Sequence, residues 1–267
     1  MNAYVNTPVL KLMIEPSRCC ELADEALYGM KVEILETDGD WAKVKTPYRY
    51  TGWAEMSDLY FADAEAFEKA EKRVVLRASA DLMQAPKVQS YPLRSVPRGA
   101  IVGLTGEKNE AWTQVVLVDG RTAWTRESFL GEYKTERRVS EAEFRRALVR
   151  TAESYLGTQY RWGGKTPQGI DCSGLCSMSY LLNGVFIYRD ARIMPDFPIH
   201  EIEYSQIKMG DLLFFKGHVA MYIENGRFIH STGHAGDDGV VYSSFNPDDP
   251  DYREDLWKGL LACGTIF

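Results

Sequence analysis

Residues Asp40 to Leu59 (DWAKVKTPYRYTGWAEMSDL) align without a gap on Ala111 to Leu130 (AWTQVVLVDGRTAWTRESFL), at an offset of 71 residues. Trp41/Trp112, Val44/Val115, Thr51/Thr122, Trp53/Trp124, Ser57/Ser128 and Leu59/Leu130 coincide, and both blocks alternate β-formers around turn residues. Such a repeat implies two copies of one small β unit, which confines the N-terminal half to a pair of like modules. Each copy is expected to open with a short strand, Val9 to Ile14 in the first and Arg73 to Arg77 in the second. A polar loop and a Gly-led strand, GMKVEIL or GAIVGLT, follow. Several short strands within about 60 residues suit a small barrel.

Charged connectors, Ala62 to Lys72 and Gly131 to Val139, follow the two copies, and beyond them the periodicity becomes helical. Ser140 and Glu143 make a capping box, Phe144, Leu148, Thr151, Ala152 and Tyr155 recur at helical spacing, and Gly157 suits the helix end. A Gly-rich turn, RWGGKTPQG, leads to a second helix from Cys172 to about Leu182. DLLFF, HVAMYIE, RFIHST and GVVYSSF then read as strands. The fold class is α+β: helices packed on an antiparallel sheet over residues 140–267, preceded by two all-β modules over residues 1–62 and 72–131.

A formal net charge of −7, with scattered basic residues, gives no electrostatic footprint for nucleic acid or an anionic membrane. The first residues, MNAYVNTPVLKLMI, lack a basic n-region and an unbroken apolar h-region. That favours a cytoplasmic location, and a cell-wall or extracellular one if a leader was trimmed. Five cysteines, two of them adjacent at Cys19 and Cys20, fit a disulfide framework poorly and leave room for a chemical thiol.

Cys172 follows the Gly-rich turn and opens a helix. Unpaired N–H groups and the positive end of the helix dipole there favour a thiolate and could stabilise an oxyanion. Cys19, Cys20, Cys176 and Cys263 read as ordinary small hydrophobes. A thiol nucleophile needs a base, and the candidates are His200, His218, His230 and His234. His218 and His230 lie on two strands joined through ENG. A two-residue loop, Asn225 and Gly226, would set Met221 against His230 and turn the histidines to opposite faces. A three-residue loop of Glu224, Asn225 and Gly226 would set His230 against Ala220 and bring them to one face. The three-residue loop is the expectation, because the base needs an orienting partner. Zinc held by Cys172, His218, His230 and His234 is the competing chemistry, with weak ligand spacing.

YRWGGKTPQGIDCSG, the later GDLLFF and HVAMYIENGRFIHST, and the upstream repeat with its GDW and GW turns together resemble the NlpC-type papain-like cysteine endopeptidases with N-terminal bacterial SH3-like domains. The resemblance implies that Cys172 is the nucleophile, His218 the base and His230 the orienting residue, with Tyr160 beside the oxyanion site. It extends to the γ-D-glutamyl-L-diamino-acid endopeptidases, which recycle murein peptides with a free N-terminal L-Ala. On that likeness Asp171 and Ser173 contact substrate, as do Glu21 (rival Glu25) and Tyr50 (rival Tyr48) in the first module. YRDARIM has Ala191 where a serine is frequent in the family. The implied partner is a peptidoglycan stem peptide, with no cofactor, no nucleic acid and no membrane. The rival readings are a non-catalytic wall-binding module and a hydrolase or amidase acting on intact peptidoglycan.

Overall fold

Strands that alternate buried and half-exposed residues, such as Trp41–Lys45 and Thr51–Glu55, build the first unit of the chain, Met1–Tyr133. The computed structural model describes residues 1–61 and 63–267, so the module boundary at Ala62 lies outside the described residues. Among these, β1 (Asn2–Val5), β2 (Val9–Met13), β3 (Leu22–Leu27), β4 (Lys31–Asp38), β5 (Trp41–Lys45), β6 (Thr51–Glu55) and β7 (Leu59–Tyr60) form an antiparallel sheet. Its strand order is β3-β2-β6-β5-β4-β1-β7. After the short helix α1 (Glu65–Lys69) the same order recurs as β10-β9-β13-β12-β11-β8-β14. These strands are β8 (Glu71–Val75), β9 (Ser79–Met83), β10 (Pro92–Pro97), β11 (Ile101–Asn109), β12 (Trp112–Val116), β13 (Thr122–Arg126) and β14 (Leu130–Glu132).

Two expectations are corrected. The strand at Val9–Met13 corresponds to Ser79–Met83, while the strand expected near Arg73 to Arg77 corresponds to Asn2–Val5. The offset is thus 70 up to the start of β4 and β11 and 71 from their ends onward. β11 carries one residue more than β4 and absorbs it in a wider bulge, between Leu104 and Lys108 where β4 shifts between Ile34 and Glu36. Among the described residues closed barrels are not formed either. Each strand order is open-ended, and both residues of β7 pair with β1 rather than with the opposite edge, β3.

The two copies are joined by backbone. Ile101 N–H donates to the Tyr28 carbonyl (2.8 Å), and Val118 N–H donates to the Tyr28 hydroxyl (3.1 Å). At Gly29, with φ +79°, a Cβ would lie 2.2 Å from the Ile101 carbonyl oxygen, so the contact requires glycine.

The second unit, Lys134–Phe267, opens with α2 (Glu141–Glu153), whose capping box between Ser140 and Glu143 is present. The chain leaves the helix at Glu153 and turns to Gly157, which has φ +76°. A two-stranded hairpin, β15 (Lys165–Thr166) and β16 (Gly169–Ile170), delivers the chain to α3 (Cys172–Leu181). Cys172 to Tyr180 is buried on every side, as expected of a central helix. A six-stranded antiparallel sheet follows, ordered β17-β22-β18-β19-β20-β21. It comprises β17 (His200–Ile202), β18 (Leu212–Phe215), β19 (His218–Glu224), β20 (Arg227–Thr232), β21 (Gly239–Ser244) and β22 (Leu260–Thr265), with α4 (Glu254–Lys258) before the last strand. Leu213, Phe215, Ala220, Phe228, Phe245 and Cys263 form one of its cores. Among the described residues no helix is long and apolar enough to cross a membrane.

Candidate active site

Cys172 is the first residue of α3, and the local sequence explains its position. Asp171 is the N-cap, and its carboxylate accepts from Gly174 N–H (2.6 Å), as a cap should. Gly174 packs so tightly on the preceding hairpin that a Cβ would stand 2.2 Å from the Gly164 carbonyl oxygen. The same carboxylate accepts from Gly163 N–H (2.8 Å) and the Ser173 hydroxyl (3.2 Å).

Arg189, which the sequence reading passed over, completes this arrangement. The residue is 1% exposed, and its guanidinium grips Asp171 through two hydrogen bonds of 3.0 and 2.9 Å, while donating to the Ser173 hydroxyl at 2.6 Å. Asp171 and Ser173 are therefore brought together, with the arginine between them. A buried carboxylate carrying several acceptor sites calls for such a partner, and the two arginines of IYRDAR, Arg189 and Arg192, were the available signal.

The Cys172 thiol is 6% exposed. Burial, followed by the Asp171 carboxylate, pushes it up to about 11. The Val219 N–H, Arg189 and the Ser173 N–H pull in the opposite direction. At this helix start burial and the Asp171 carboxylate outweigh Arg189 and the Val219 and Ser173 N–H groups, so the thiol is favoured where the sequence expectation was a thiolate.

The β19–β20 hairpin departs from its expected loop. Glu224 pairs with Arg227, so the loop is Asn225 and Gly226, both with positive φ (51° and 79°), the signature of a type I′ turn. The register then shifts by one residue between Tyr222 and Glu224, leaving Ile223 as a bulge. Beyond it Tyr222 pairs with Phe228 and Met221 with Ile229, which sets His230 in register with Ala220. The three-residue loop is corrected, but the register it was meant to produce is present. His218 Nε2 and His230 Nδ1 lie 2.8 Å apart, with ring centroids 5.0 Å apart at 76°.

His218 is held neutral: burial, then the Arg253 cation, lowers it to about 4. His230 is 0% exposed and is also shifted well down, by burial first and by His218 and Arg253 next. Its other nitrogen, Nε2, is 3.0 Å from the Ser243 hydroxyl, a second neighbour that the sequence reading missed. Tyr160 is half-buried, and a Cβ on Gly233 would lie 3.3 Å from its ring. Burial, then Cys172 and Asp171, raises its hydroxyl to about 12, so it stays a donor.

The other proposed contacts lie in the first unit. Glu21 is exposed in the loop before β3, and Tyr50 is half-buried in the turn before β6. The rivals differ: Glu25 is buried, and the buried Tyr48 donates to the Asp24 carboxylate at 2.6 Å. Among the described residues no group of three or more His, Cys, Asp or Glu side chains is placed to hold a metal ion.

Comparison with known proteins connects this geometry to a family. The NlpC/P60 family profile matches residues 157–252, the stretch carrying Cys172, His218 and His230. A dipeptidyl-peptidase 6 of Lysinibacillus sphaericus is 42% identical over 273 residues, covering 100% of both chains. The chain belongs to the NlpC/P60 family. It is accordingly a cysteine peptidase, and residues 12–59 match the bacterial dipeptidyl-peptidase SH3 domain. This NlpC/P60 peptidase is also similar to a γ-D-glutamyl-L-lysine dipeptidyl-peptidase of Bacillus cereus, 28% identical over 79% of this chain and 67% of that one. In fold it matches the crystal structure of an NlpC/P60 family protein from Bacillus cereus, with a TM-score of 0.79, 21% identity and 98% of each chain covered.

Proposed function

We propose that this NlpC/P60 peptidase hydrolyses the bond between γ-D-Glu and the diamino acid, diaminopimelate or lysine, in peptidoglycan stem peptides with a free N-terminal L-Ala. The observation that carries the reading is the 2.8 Å His218–His230 pair, on strands β19 and β20 that pack against the helix opened by Cys172. The names of the two dipeptidyl-peptidase relatives support the substrate class.

In this reading Cys172 Sγ attacks the γ-carbonyl carbon of D-Glu. The thiol proton passes to His218 Nδ1, the nitrogen left free because Nε2 faces His230. Since burial disfavours both thiolate and imidazolium before substrate arrives, proton transfer accompanies attack. The oxyanion receives hydrogen bonds from N–H groups at the start of α3 and from Tyr160. His218 returns the proton to the departing amine, leaving a Cys172 thioester. Water, deprotonated by His218, then releases L-Ala-γ-D-Glu. Asp171, Ser173, Glu21 and Tyr50 are the proposed substrate contacts, the last two on the family resemblance alone. Residues 1–62, 72–131 and 140–267 are the proposed modules, two SH3-like and one papain-like, and murein peptide recycling in the cytoplasm is the proposed setting.

The test is mass spectrometry of L-Ala-γ-D-Glu-L-Lys and its diaminopimelate analogue after incubation, each with a free and an acetylated N-terminus. Cleavage of only the free-amine peptides is expected. Equal cleavage of acetylated peptides would move the activity to intact wall, and no cleavage of any would remove the reading.

A further inference from the structure

His230 presents one nitrogen to each of two neighbours. Nδ1 faces His218 Nε2 at 2.8 Å and Nε2 faces Ser243 Oγ at 3.0 Å. The ring is fully buried, and Ser243 is 3% exposed. The sheet register produces the contact. β20 and β21 pair His230 with Val241 and Phe228 with Ser243, so Ser243 sits two residues along on the same face as His230. The other ring neighbours are apolar: Phe228 packs 5.2 Å from His230 and Phe215 5.7 Å from His218, centroid to centroid.

A neutral imidazole has one donor and one acceptor nitrogen, so the row His218, His230, Ser243 has two proton arrangements. In one, His218 Nε2–H donates to His230 Nδ1, and His230 Nε2–H donates to Ser243 Oγ. His218 Nδ1 is then bare and accepts a proton. In the other, the Ser243 hydroxyl donates to His230 Nε2, His230 Nδ1–H donates to His218 Nε2, and the His218 proton sits on Nδ1. His218 cannot then act as a base. Once His218 is an imidazolium its Nε2 must donate, so only the first arrangement is compatible with the charged state.

We propose that Ser243 is a positioning residue for the cysteine peptidase reaction: its hydroxyl accepts the His230 Nε2–H and thereby holds the histidine row in the proton arrangement that leaves His218 Nδ1 free. The proposal rests on the reading of Cys172, His218 and His230 given above. Alanine at 243 leaves either a buried N–H without a partner or a His230 in the opposite tautomer, and both oppose the charging of His218. The charged and titratable groups around the pair are Asp171 at the cap of α3, Arg253 and Asp255 at the start of α4, and His234 after β20. None of these is altered by a change at 243, so a shift in the pH profile reports on the row itself.

The test compares wild type, Ser243→Ala and Ser243→Thr as full-length chains, with Cys172→Ala and His218→Ala as controls. The readouts are kcat and KM on L-Ala-γ-D-Glu-L-Lys, the pH profile of iodoacetamide alkylation at Cys172, and the ¹⁵N NMR tautomer of His230. Ser243→Ala is expected to lower kcat about 10- to 100-fold with KM unchanged, and to shift the alkylation profile. Ser243→Thr, which keeps a hydroxyl, restores most of both. Wild-type His230 protonated on Nδ1 would overturn the proposal without any variant, as would a Ser243→Ala enzyme with an unchanged kcat and alkylation profile. Activity surviving in Cys172→Ala or His218→Ala would instead remove the underlying catalytic reading.

Discussion

Replacing Arg189 with methionine isolates the buried ion pair behind the Cys172 helix. Methionine keeps much of the side-chain length and removes the charge, so the Asp171 carboxylate loses two hydrogen bonds and its counter-ion while keeping the Gly163 and Gly174 amides and the Ser173 hydroxyl. The pair has side-chain exposures of 2% and 9%. Breaking such a pair from one side costs about 3–5 kcal/mol, because the remaining charge is stranded out of water. Against a typical domain stability of roughly 5–15 kcal/mol, that lowers the midpoint of the affected thermal transition by about 10–20 °C. Calorimetry of the full chain measures this, and kcat falls in parallel as the cap of α3 loosens. The double variant Arg189→Met with Asp171→Asn recovers part of the loss, since no unpaired charge remains and asparagine still caps the helix. A single variant within about 1 kcal/mol of wild type, or losses in the double variant that simply add, would refute the coupling.

Two further outcomes follow from the same geometry. Because His218 is lowered from 6.5 to about 4 in the folded protein, the unfolded chain binds more protons between those values. Stability is full above about pH 6.5 and is lost as pH falls toward 4, by up to about 3 kcal/mol from this group. His230 adds in the same direction. Urea unfolding at several pH values measures the slope, and a His218→Gln variant with the same slope as wild type would contradict the assignment. Gly174→Ala places a Cβ where the Gly164 backbone stands, at 2.2 Å, so the hairpin must move off α3. A loss of about 1–3 kcal/mol and of most activity is expected by thermal melts and peptide cleavage, and a fully active, equally stable variant would count against the close approach.

How far the sequence reading reached is clearest at the hairpin. The Asn225–Gly226 pair signals a two-residue turn, and the need for His218 and His230 to share a face signals a different register. The chain satisfies both by spending Ile223 on a bulge, which no local propensity announces. The repeat tells a similar story. Its tryptophan blocks were legible at an offset of 71, but the extra residue in β11 hid the weaker match of Val9–Met13 to Ser79–Met83. The capping box at Ser140 and the helix start at Cys172 were legible because their determinants are local. Arg189 and Ser243 were not. Each acts on a residue more than ten positions away, through a turn or a strand register that only the folded chain fixes. The thiol's upward shift escaped for the same reason, since burial is a tertiary property and it opposes the dipole visible in the sequence.

The most direct test of the central claim is to follow activity against modification of each cysteine during iodoacetamide treatment, with peptide mapping by mass spectrometry. Cys19 is exposed and Cys20 partly so, and both are expected to react without loss of peptide cleavage. Activity should instead fall in proportion to alkylation of the buried Cys172, and a folded Cys172→Ala variant should be inactive. Cleavage that persists when Cys172 is fully alkylated would contradict the account.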